Sequence, residues 1–152
     1  MNHHYYVPTQ KIHVPEQQQV VLVGGCFDIL HFGHIQFLDK AKKAGDYLIV
    51  ALEPDQTIIN HKKRTPTHNQ EQRSHNLLAL RCVDQVILLP SLQGFDDYYM
   101  LVKNINPHII AITQDDPQIR NKQKQASAIG AQVVIVSERI EPFSSSRMQP
   151  LL

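Results

Sequence analysis

An α/β fold, a doubly wound five-stranded parallel sheet with helices on both faces, is predicted by two features of the sequence. Short runs of Val, Ile and Leu of strand length alternate with longer stretches of helical spacing, and glycine or proline punctuates several of the junctions between them. Near-continuous apolar runs mark strands buried on both faces, and their alternation with helices marks a parallel sheet. Right-handed crossovers then put helices on both sides. A length of 152 residues suits one such domain.

The elements follow in order. Residues 1–19 hold two prolines and a Gln run without periodicity, and read as an extension or arm outside the folded domain of 20–152. Val20-Val-Leu-Val23 is a buried strand stopped by Gly24-Gly25. From Gly33 to Lys43, Ile35, Phe37, Leu38 and Ala41 share a helical face, and Gly45 ends it. Tyr47–Leu52 is the second strand. Asn60 to His68 is basic and polar with no apolar face, and reads as a long loop. Asn69–Leu80 is a helix with Leu77, Leu78 and Leu80 inward, and Val86–Leu89 a strand stopped by Pro90. Phe95–Ile105 is a helix, His108–Thr113 a strand, Pro117–Ile129 a polar helix capped by Gly130, and Val133–Val136 the fifth strand.

Composition narrows the function classes. Fifteen Lys and Arg against fourteen Asp and Glu leave a formal charge of +1, which argues against a general nucleic-acid binder. No apolar run approaches the roughly 18–20 residues of a membrane helix, and the polar start lacks a secretory pattern. Two cysteines, Cys26 and Cys82, make no disulfide framework, so a reducing cytoplasm is expected.

In doubly wound sheets ligands sit beyond the carboxyl ends of the strands. There, after the first strand, stands Gly24-Gly-Cys-Phe-Asp-Ile-Leu-His31-Phe-Gly33-His34, running into the first long helix. Glycine lets backbone approach a ligand closely. A helix N-terminus favours an anion, and two imidazoles beside it add directional donors. Zinc is the competing reading, with Cys26 as third ligand. Such sites need three or four ligands of recognisable spacing, and Cys82 lies on a later helix end. Anion binding is the expectation.

GCFDILHFGH resembles the first signature of the cytidylyltransferase-like, His-x-Gly-His nucleotidyltransferases. The likeness continues through Phe37–Asp55, with Lys42, Gly45 and Asp46 on family positions, through Glu71-Gln72-Arg73 and Leu80–Asp84, and ends at Arg139-Ile-Glu141-Pro-Phe-Ser144-Ser145-Ser146-Arg147. It implies a Rossmann-like fold and in-line transfer of a nucleoside monophosphate from a triphosphate to a small phosphorylated acceptor. Pyrophosphate leaves, and Mg²⁺ bridges phosphate oxygens. Chemistry of that kind asks for positioning and charge stabilisation.

By that resemblance His31, His34, Lys62 and Arg139 are catalytic. Gly25, Cys26, Phe27, Gly33, Asp116, Ser144, Ser145 and Ser146 bind nucleotide, and Lys63 and Arg73 bind phosphate or acceptor. Asp28 is read as orienting the turn. Arg139-x-Glu141 resembles the glycerol-3-phosphate cytidylyltransferases, which favours CTP and glycerol 3-phosphate. The cysteine in GCFDIL resembles the heptose-phosphate adenylyltransferases, and adenylyl transfer to a flavin phosphate is a third member of the class. Gln114 and Pro142 replace family glycines, which motivates an alternative of another class, a nucleotide-binding protein without turnover. No nucleic acid or membrane partner is expected, and the resemblance implies a homodimer.

Overall fold

A computed structural model describes residues 2–138. Arg139, Ser144, Ser145 and Ser146, expected at the site, lie outside the described residues, as does Pro142.

The central strands are β2 (Val20–Gly25), β3 (Tyr47–Leu52), β4 (Gln85–Leu88), β5 (Ile109–Thr113) and β6 (Gln132–Ser137). With β1 (His3–Tyr5) they form one six-stranded sheet in the order β1-β4-β3-β2-β5-β6. Every pairing is parallel. Order reverses between β2 and β5, so the crevice of a doubly wound sheet opens beyond Gly25 and Thr113.

Side chains of a strand alternate between its faces, and the core divides accordingly. Val21, Val23, Leu48, Val50, Leu52, Val86 and Leu88 face α1 (Phe32–Lys43) and α3 (Gln70–Leu78) through Phe37, Leu38, Ala41 and Leu77. Val20, Leu22, Ile49, Ala51, Ile87, Ile110 and Ile112 face α4 (Gly94–Ile105) and α5 (Ile119–Ile129) through Leu101, Val102, Ile105 and Ala126. Asn69 and Gln72 close a reciprocal capping box on α3. Gly130 ends α5 with φ 76°, the left-handed cap expected of it.

Two expectations are corrected. The strand count is six because residues within the supposed arm add an edge strand. His3, His4 and Tyr5 pair with Val86, Ile87 and Leu88. Tyr6 is buried, Asn104 donates to its hydroxyl at 3.1 Å, and Ile12 and Val14 pack on the α4–α5 side. Three residues of backbone pairing leave no periodicity to read. The supposed loop 60–68 also begins inside a helix, α2 (Asp55–Lys62), which buries only Ile58 and so shows no apolar stripe.

Several motif positions serve the scaffold. Lys42 donates to Asp84 Oδ2 at 2.5 Å and to the Asp46 carbonyl at 2.6 Å. Asp46 Oδ2 accepts from the Gln19 N–H at 2.9 Å. A Cβ on Gly45 would lie 2.7 Å from the Gln19 carbonyl oxygen, so the chains can cross there only without a side chain. Together they fix where β2 and β3 begin, and hence where both end.

Candidate active site

A cavity of about 250 Å³ lies at the point where strand order reverses. Gly25, Cys26, Phe27, His34, Lys62 and Asp116, all expected there, line it; so do Phe37, Ala111–Thr113 and Lys122. Phe27 has φ 48°, a conformation costly for a residue with a Cβ. Its ring is buried and packs edge-on against His34, with centroids 5.3 Å apart. A Cβ on Gly25 would sit 2.7 Å from that ring, which is why the strand ends on glycine.

His31 is the N-cap of α1, in extended conformation, and its Nδ1 accepts from the Gly33 N–H at 3.1 Å. Gly33 therefore directs that donor to the cap. The His31 and His34 rings stack with centroids 3.8 Å apart and planes 24° apart, so the two imidazoles stand together at the helix start.

Both rings are held neutral at physiological pH. Burial lowers His34 from 6.5 to about 3, helped by the neighbouring His31 ring and the Lys62 charge, while the Ile29 carbonyl pulls the other way. Burial and Lys62 lower His31 as well. Nδ1 of His34 is buried without a hydrogen-bond partner. Burial pushes the Cys26 thiol up, so it remains protonated and offers neither a nucleophile nor a thiolate ligand.

Asp28 is buried and accepts from Arg64 Nη1 at 2.7 Å, the Thr67 N–H at 3.0 Å and the His68 N–H at 3.0 Å. Burial raises its carboxyl, but these donors outweigh it and hold the value below 3.8. Asp28 thus binds the α2–α3 connection to the turn, as expected.

These shifts set a pH dependence of stability. The unfolded His34 ring takes up a proton near 6.5, which the native ring refuses until about 3. Its stabilising contribution is complete above 6.5 and drains as pH falls toward 3. Asp28 adds a further loss as pH drops below 3.8 through its lower native value. Melting temperature should therefore decline from pH 6.5 downward, and His34→Gln should flatten the slope between pH 6.5 and 4. An unchanged slope in that variant would remove His34 as its source.

Arg73, expected to bind phosphate or acceptor, is placed otherwise. It is fully buried, and Nε donates to the His68 carbonyl at 3.0 Å. Nη1 donates to the carbonyls of Cys26 at 2.7 Å and Glu53 at 2.9 Å, and Nη2 to Asp55 Oδ1 at 2.7 Å. The guanidinium clamps the ends of β2 and β3 and the start of α2, leaving no fork for substrate. Lys63 is the exposed left-handed cap of α2, with φ 55°, and is not among the cavity's described lining residues. Gln114 is exposed and likewise outside that lining.

Sequence reading missed Lys122. Its amine meets Asp116 Oδ2 at 2.5 Å, and Asp116 Oδ1 accepts from the Gln118 N–H at 2.7 Å. The pair turns inward from α5, and only a lysine about a turn and a half after the acidic pair hinted at it. The cavity therefore combines a helix N-terminus, the neutral imidazole of His34 with His31 stacked on it outside the described lining, the cationic side chains of Lys62 and Lys122, and an ordered carboxylate at Asp116. Those are the parts of a site for a phosphorylated ligand with polar groups at its far end.

A family model described as Cytidylyltransferase-like matches residues 22–149. A FAD synthase of Thermococcus onnurineus is 46% identical over 95 residues, 62% of this chain and 61% of that protein. The bifunctional protein HldE of Helicobacter hepaticus is 34% identical over 134 residues, 88% of this chain and 26% of that protein. The matched part thus spans about three fifths of the first relative and a quarter of the second. Among solved structures, the lipopolysaccharide core biosynthesis protein of Thermoplasma volcanium superposes with a TM-score of 0.65 at 31% identity, covering 80% of this chain and 97% of that one.

Proposed function

The chain belongs to the cytidylyltransferase-like family, and from that premise we propose that it is a nucleotidyltransferase that moves AMP from ATP onto a flavin phosphate. An oxygen of the acceptor phosphate attacks the α-phosphorus, the bond to the bridging oxygen breaks, and pyrophosphate leaves. The observation that carries the reading is the stacked His31–His34 pair at the N-terminus of α1, beside a cavity at the strand-order reversal. The α1 N-terminus, His34 and Lys62 hold the triphosphate, and Asp116 faces the nucleoside end. Groups aimed in advance at growing phosphate charge are what such a transfer needs.

The expected preference for CTP and glycerol 3-phosphate gives way here to ATP and flavin. A FAD synthase relative supports the change at 46% identity. HldE, aligned over 88% of the chain, supports a sugar phosphate as the second acceptor. The nucleotide enters as its Mg²⁺ complex. Among the described residues no three His, Cys, Asp or Glu gather to hold a metal, and Asp116 is already paired with Lys122. When bound with the nucleotide, the ion would supply charge neutralisation to the phosphates.

Pyrophosphate release from ATP or CTP, measured with FMN, a sugar phosphate and glycerol 3-phosphate, tests the reading. ATP with FMN should yield FAD. Turnover confined to another pair reassigns the substrates, and nucleotide binding without release on any acceptor favours the non-catalytic alternative.

A further inference from the structure

α4 turns one side to the sheet and the other to solvent. Tyr98, Leu101, Val102 and Ile105 pack on the sheet side. The outer side of such a helix is normally polar. Here it carries Phe95, Tyr99 and Met100 together with Asp96 and Lys103, at helical spacings that place all five along one strip. Phe95 and Met100 are 36% and 42% exposed. The Phe95 and Tyr99 rings lie with centroids 5.9 Å apart, and Lys103 Nζ stands 4.6 Å from the centre of the Tyr99 ring. Exposed aromatic rings and methionine gathered in one patch mark an interface. None of the five is among the described residues lining the cavity.

We propose that this strip is where two copies of the chain pair, each α4 antiparallel to the other about a two-fold axis. The placement of the charges selects a second copy as the occupant. Asp96 lies three residues before Tyr99, and Lys103 three after Met100. A two-fold axis passing between Tyr99 and Met100 therefore sets Asp96 of each copy opposite Lys103 of the other, with Tyr99 against Met100 at the centre. Such self-complementarity is what an isologous contact requires. A parallel pairing would oppose like charges, and a partner of one charge sign would be repelled at one end. Lys103 already lies over the Tyr99 ring, so less freedom is lost when its charge meets a carboxylate. Three helical turns make a small interface, and a dimer with a roughly micromolar dissociation constant is expected. The pairing stands apart from the nucleotidyl-transfer reading and holds whichever substrates the cavity takes.

Sedimentation velocity on the full chain, from about 1 to 100 μM, should show a monomer–dimer equilibrium. Asp96→Lys and Lys103→Glu each set like charges against one another at both ends of the contact. Either should weaken the dimer at least about tenfold. Mixing the two variants restores opposite charges at both ends, and should return association to within about threefold of wild type. The mixture also controls for folding, because a misfolded chain cannot rescue its partner. A wild-type chain that stays monomeric at about 100 μM overturns the proposal. So does a dimer undiminished by both single substitutions, or a mixture that remains as weak as its components.

Discussion

His34→Ala is expected to lower kcat by on the order of 10²–10³, the usual cost of removing an oriented group that meets developing charge. Nucleotide affinity should fall only a few-fold. The split follows from the ring's state: with a value of about 3 it is neutral in the resting site, so it offers the ground-state triphosphate no fixed charge. The Ile29 carbonyl favours a second proton on the ring, and an arriving polyanion favours it further. Donor strength therefore rises as phosphate charge accumulates, and the benefit falls on the transition state. Single-turnover rates beside the dissociation constant of a non-hydrolysable analogue separate the two quantities. Turnover within a few-fold of wild type would remove the histidine from the chemistry.

Arg73→Met should cost about 4 kcal/mol of stability, since each of three buried carbonyls left without its donor costs about 1–3 kcal/mol, while Asp55, 40% exposed, is rehydrated in part. Methionine replaces the stem and none of the donors. The carbonyls of Cys26, Glu53 and His68 then lose a buried partner, and Asp55 loses its cation. A loss of that size lowers the melting temperature by roughly 10 °C in a chain of this length. Arg73→Lys should recover only part, because one ammonium cannot reach carbonyls on three segments. Urea unfolding at constant slope measures the change, and a loss under about 1 kcal/mol would contradict the clamp. Activity should drop with stability, since the clamped Cys26 lines the cavity.

The contrast between these residues shows what a linear sequence conveys. The five central strands were legible because Val20–Val23, Tyr47–Leu52 and their counterparts are apolar on both faces. The turn at Gly24–His34 was legible because a strand, glycines and a helix start leave few alternatives. Arg73 and Arg64 could not be ranked from their spacing, since what distinguishes them is how many of their nitrogens meet protein oxygens. Lys122 escaped for a related reason: a lysine on a polar helix looks solvated until α5 packs beside β5. The short β1 and α2 were hidden because neither carries an amphipathic pattern of its own.

β1 has a consequence for biosynthesis. It is synthesised well before its docking rim, Val86 to Leu88. The N-terminal segment must wait as a tether while the other strands assemble, and ladders spanning such separations close slowly. Until it closes, β4 presents raw backbone to neighbouring nascent chains. Any sequence fused ahead of this protein is anchored to that rim, and whatever delays the tether leaves the growing sheet unsealed.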